Sequence, residues 1–123
     1  MPPRGPRETS TYRGASGAYY GFTVFALNTP LPRAAGVYAL ARRDVGAKIW
    51  DILLIGETAN FVDALSDQNS GALNEARRRG ATHILLYVSP IATARRREAA
   101  HDLWRNLRPP LVGWDHEDIQ RRA

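Results

Sequence analysis

The chain contains no cysteine, a single lysine (Lys48) and no long apolar run. Without cysteine, a disulfide framework and thiolate metal sites are excluded, and nothing ties the chain to an oxidising compartment, so a cytoplasmic setting is expected. No segment reaches the roughly 18 apolar residues that a membrane span needs. Arg4 and Arg7 have no apolar run behind them, so neither export nor insertion is indicated and no membrane partner is expected. Metal spacing is missing as well. His83, His101 and His116 form no ligand pattern, and the one carboxylate pair at helical spacing, Glu98 with Asp102, reads as part of a charged face. Gly14-Ala15-Ser16-Gly17 lacks the lysine and the preceding strand of a phosphate-binding loop. No metal and no cofactor are expected.

What is present fits one domain. At 123 residues, with 44% hydrophobic and 24% charged residues, the chain is long enough for a single core of one sheet and two or three helices. Basic residues outnumber acidic ones 17 to 12, giving a net charge of +5, and all but Lys48 are arginine. The guanidinium fork suits phosphate, so a nucleic-acid partner is compatible with the composition. A GC-rich genome produces the same arginine bias, and net charge speaks to solubility rather than fold.

Residues 1–18 are rich in Pro, Gly, Ser, Thr and Arg and almost free of aliphatics, which predicts a flexible tail. From Tyr19 the pattern changes to a β-rich run over 19–26, stopped by Asn28-Thr29-Pro30 and read as a strand at a sheet edge. Strands are further predicted over 37–42, 49–55 and 82–88, the second and third forming an antiparallel hairpin. Helices are predicted over 61–67, capped by Thr58 or Asn60, over 72–79, ended by Gly80, and over 91–107, ended by Pro109 and Pro110. The expectation is an α/β domain over 19–112 with a small, mainly antiparallel sheet of about four strands flanked by helices, followed by a polar tail over 113–123.

Gly36-Val37-Tyr38 opens one of these strands, and Leu54-Ile55-Gly56 closes the next, followed by Glu57-Thr58-Ala59-Asn60-Phe61. Gly80-Ala81-Thr82-His83, a basic helix and Arg108-Pro109-Pro110-Leu111 come after them in order. The arrangement resembles the GIY-YIG nuclease family over roughly residues 34–112. The resemblance implies a tyrosine at position 54, an arginine at 64, a glutamate at 100 and an asparagine at 112. This chain has Leu54, Ala64, Ala100 and Val112 there, while Tyr38 and Gly56 keep the family's residue types. Glu98 is the nearest substitute for the glutamate, but two helical residues rotate a side chain by about 200°, so Glu98 and Ala100 point in different directions.

Phosphodiester cleavage needs a cation or arginine on the phosphate and a group that activates water. Aliphatic side chains supply neither, so the resemblance implies a nuclease-like domain without catalysis, its remnant site made of Tyr38, Leu54, Gly56, Ala64, Ala100 and Val112. The remaining functional signal is basic: Arg77, Arg78 and Arg79 before one strand, Arg95, Arg96 and Arg97 on the long helix, and Lys48 in a polar connection. Placed near one cleft, they would contact phosphates without reading bases. Weak nucleic-acid binding is the leading expectation. A diverged, active metal-dependent endonuclease using Glu98 and a protein-interaction module using the apolar former cleft are the alternatives. The oligomeric state stays open.

Overall fold

A computed structural model of the chain describes residues 8–43, 50–66, 71–89 and 92–112. Five antiparallel strands and one two-residue parallel strand make a single sheet: β1 (Thr9–Arg13), β2 (Tyr19–Ala26), β3 (Gly36–Arg42), β4 (Asp51–Thr58), β5 (His83–Val88) and β6 (Leu111–Val112), in the order β1-β2-β5-β3-β4-β6. The helices are α1 (Phe61–Ala64), α2 (Gly71–Arg78) and α3 (Thr93–Leu107). None of the described helices is long and apolar enough to cross a membrane.

The α/β class and the β3–β4 hairpin agree with the sequence reading, but about four strands becomes five antiparallel ones plus β6. The expected loose tail over 1–18 is corrected from residue 9 onward. Thr9–Arg13 lies antiparallel along β2, with Thr9 opposite Thr23 and Arg13 opposite Tyr19. This pairing satisfies the backbone of a polar strand that buries little itself, and it moves β2 from the edge to the interior of the sheet. β4 also runs on to Thr58, because Glu57 and Thr58 pair with Val37 and Gly36. Residues 1–7 and the polar tail over 113–123 lie outside the described residues.

β3 occupies the centre, hydrogen-bonded to β4 on one side and β5 on the other, and it is buried through Ala41. Its side chains alternate. Tyr38 and Leu40 join Leu54, Leu86, Phe61, Leu73 and Ala76 in a cluster covered by α1 and α2. Val37, Ala39 and Ala41 join Phe22, Ile55, Leu85, Ala100 and Leu103 in a second cluster covered by α3. A bulge lets Leu53 and Leu54 enter the first cluster together, since Leu40 opposes Leu54 while Ala41 opposes Ile52.

Local chemistry sets the helix ends. Asn60 caps α1 by accepting a hydrogen bond from the Val62 backbone N–H at 3.1 Å. After α2, Gly80 takes φ +95°, the left-handed conformation that releases the chain into β5. Arg108 leaves α3 at φ 49° and ψ 54°, where the following proline blocks further helix, and its guanidinium lies 5.0 Å over the Trp104 ring.

Gly56 lies opposite Tyr38 in the β3–β4 register, and a Cβ added there would collide with the tyrosine ring. Gly21 on β2 has open space where its Cβ would be. Gly56→Ala is therefore expected to destabilise the fold by about 1–3 kcal/mol through overpacking, whereas Gly21→Ala is neutral or slightly stabilising. Urea midpoints of the two variants check this; equal midpoints would show that Tyr38 does not need the missing side chain.

Candidate nucleic-acid interface

α2 buries Leu73 and Ala76 and leaves Arg77, Arg78 and Arg79 exposed at its C-terminal end, where cations complement the helix dipole. Glu75 pairs with Arg78 and, at 3.5 Å, with Arg79; the Arg78 hydrogen bond and charge hold its carboxyl below the usual range. Arg42, the last residue of β3, reaches the same end of the sheet. Its guanidinium donates to the Arg79 carbonyl at 3.4 Å and to Asp51 at 2.6 Å.

Arg43 follows, donating to Glu8 at 2.7 Å and lying 4.7 Å over the buried Trp50 ring. Trp50 in turn meets His83 edge-on at 4.7 Å, and burial lowers the His83 pKa. Among the described residues, five arginines thus gather at one end of the sheet with three carboxylates, Glu8, Asp51 and Glu75. Arg42 and Arg43 were missed in the sequence because one reads as a strand end and the other as the start of a polar connection. Two adjacent arginines immediately after an apolar strand were the available signal.

The second triplet does not join this rim. α2 covers one face of the sheet and α3 the other, so the expected single basic surface is divided by the sheet itself. Arg96 also has to be withdrawn as a phosphate ligand. Its side chain is 7% exposed and donates to Glu57 at 3.3 Å and to Thr93 at 3.0 Å. Arg97 donates to the other Glu57 oxygen at 3.3 Å, so one largely buried carboxylate anchors both. Arg95 is exposed, and Lys48 lies outside the described residues.

The remnant positions likewise fail to converge. Tyr38, Leu54, Gly56 and Ala64 share the α1/α2 face, with Leu54 fully buried, whereas Ala100 is sealed in the α3 cluster on the other side. Val112 is placed by its backbone, which runs parallel to Ile55. The expected apolar former cleft is therefore corrected: strand alternation puts its members on two faces, and Tyr38, Leu54 and Ala100 are packed rather than open. Glu98, exposed on α3, is separated from Tyr38 by the sheet. No group of three or more metal-ligating residues occurs among the described residues.

Comparison of the chain with protein families, curated proteins and solved structures finds no match.

Removing one partner of a buried ion pair leaves the other charge desolvated. Glu57→Ala is expected to lower stability by about 3 kcal/mol, and Arg97→Ala, at the half-exposed end of the same carboxylate, by less than about 1 kcal/mol. Denaturant unfolding separates the two; equal losses would remove the structural role assigned to Arg96. Burial first, and the Glu57 carboxylate second, push the Tyr38 phenol up to about 12. Its unfolded value is about 10, so the folded state binds this proton more tightly and stability falls as pH climbs through that window. Tyr38→Phe should flatten part of the alkaline decline, measured as unfolding free energy against pH.

Proposed function

We propose that the chain is a catalytically silent, GIY-YIG-like domain that binds nucleic acid weakly and without base preference. The observation that carries this reading is the rim of Arg42, Arg43, Arg77, Arg78 and Arg79 at one end of the sheet, where the described residues hold five guanidinium groups to three carboxylates. Phosphates spaced along a strand offer the complementary charge, and binding to them releases counterions. The family likeness draws support from Tyr38 lying opposite Gly56 on adjacent antiparallel strands, with a capped helix directly after the second one.

Silence follows from the residues themselves: Leu54, Ala64, Ala100 and Val112 hold neither a metal ion nor a phosphate oxygen. The packed state of Tyr38, Leu54 and Ala100 weighs against a protein-interaction module built on an apolar cleft. The lack of cysteine supports a cytoplasmic setting.

Fluorescent DNA titrated at two salt concentrations should bind more weakly at the higher one. Changing Arg77, Arg78 and Arg79 together to glutamine should lower both the affinity and the salt slope, whereas Arg95→Gln on the opposite face leaves both unchanged. Absence of binding at low salt overturns the proposal. With magnesium or manganese added, single- and double-stranded DNA should stay intact; nicking that disappears in Glu98→Ala would establish the diverged endonuclease instead.

A further inference from the structure

The turn joining β1 to β2 is fastened to α3 by one carboxylate. Asp102 accepts hydrogen bonds from the Ser16 backbone N–H and hydroxyl, both at 2.7 Å, and from the Tyr20 hydroxyl at 2.8 Å. The Ala15 N–H donates to the Asp102 carbonyl at 3.0 Å, and the Asn106 amide donates to the Arg13 carbonyl at 2.7 Å. Burial pulls the Asp102 carboxyl upward, but the Ser16 and Tyr20 hydrogen bonds outweigh it and hold the group below the usual carboxylate range. Gly14 is required here, since a Cβ would run into the same carboxylate.

Beside this clamp is a cleft of about 360 Å³ whose polar lining includes Tyr20, Tyr87, Ser89, Arg95, Glu98 and Asp102. Asp102 is fully engaged, but much of the remaining lining is not. Ser89 lines the cleft; its backbone N–H donates to the Ala35 carbonyl, while its hydroxyl makes no hydrogen bond among the described residues and stays accessible from the cleft. Among the described residues Arg95 and Glu98 have no ion-pair partner either, although they stand one helical turn apart. The Ser89 hydroxyl and the solvated Arg95 and Glu98 charges are therefore available to a ligand that brings complementary groups into the cleft.

Size and charge narrow that ligand. The volume is at the small end of ligand pockets, which fits a compact metabolite. Two carboxylates against one guanidinium repel a phosphate, so the cleft is not an extension of a nucleic-acid surface. A molecule with both an ammonium and a carboxylate meets Glu98 and Arg95 at once and offers partners to the Tyr87 and Ser89 hydroxyls. We infer that this cleft binds a small zwitterion of the α-amino-acid class, its carboxylate on Arg95 and its ammonium on Glu98.

The test is an amide-resolved NMR titration of the full chain with L-alanine, L-phenylalanine and L-lysine in turn, with acetate, methylammonium and inorganic phosphate as controls carrying charge of one sign. At least one amino acid should give saturable shifts at Ser16, Tyr87, Ser89 and Ala99, while the three controls do not. Glu98→Gln and Arg95→Gln should each weaken that binding at least about tenfold. Both positions are exposed, so unchanged spectra elsewhere verify that the variants are folded. The inference is overturned if no amino acid saturates the cleft at millimolar concentration, if methylammonium or phosphate binds there equally well, or if both variants bind like the parent. DNA affinity mapped to Arg77, Arg78 and Arg79 is unaffected by any of these outcomes.

Discussion

β3 is buried on both faces and paired along both edges, and the arrangement of the whole domain follows from that constraint. Six consecutive buried residues, Gly36 to Ala41, require two separate covers, because alternate side chains leave opposite sides of the sheet. α1 and α2 supply one cover and α3 the other. The glycines at its borders are part of the same requirement: Gly36 admits the Tyr87 carbonyl and the Phe61 ring, and Gly56 admits the Tyr38 ring. A helix cannot leave its face without exposing half of β3, so functional groups carried on α2 and α3 cannot meet across the sheet.

Charge is partitioned by the same geometry. Glu57 follows the buried stretch of β4 and points to the α3 side, where Arg96 and Arg97 satisfy it. Arg96 thereby becomes part of the packing, held in a buried pair that orients α3 against the sheet. At the far end of β3, Arg42 and Arg43 emerge beside the α2 terminus, where the carboxylates among the described residues are at the surface and pair with arginine weakly. Net charge alone does not distinguish these uses. Burial and the nearest carboxylate do.

Much of the sheet was legible because its strands carry their own signal. Tyr19–Ala26, Gly36–Arg42 and His83–Val88 are rich in apolar, β-branched or aromatic residues bounded by Pro, Gly or Asn. β1 was not legible, since Thr-Ser-Thr-Tyr-Arg has the composition of a loop and is ordered by β2, with its turn fastened through Asp102, 86 residues from Ser16. The divergence of Glu98 from Ala100 followed from helix rotation and holds, one being exposed and the other fully buried. The side of the sheet on which α3 packs was not available from rotation, because it depends on the crossover from β5. Three consecutive arginines on a helix read as one phosphate-contacting set because the partner that buries the middle one, Glu57, lies 39 residues earlier.

α3 shows how one helix separates structural from binding duties by spacing alone. Arg96, Ala100 and Leu103 fall at i, i+4 and i+7 and face the sheet, two as core and one as the buried ion pair. Arg95, Glu98 and Asp102, at i, i+3 and i+7, form the neighbouring stripe along the cleft. The two stripes are offset by about 100°. That offset is small enough for Asp102 to hold the β1–β2 turn and large enough for Arg95 and Glu98 to remain in solvent while Arg96 is withdrawn from it. The rigidity of the cleft is consequently inherited from the core stripe: any shift of α3 that repacks Ala100 and Leu103 also displaces the charges at the mouth.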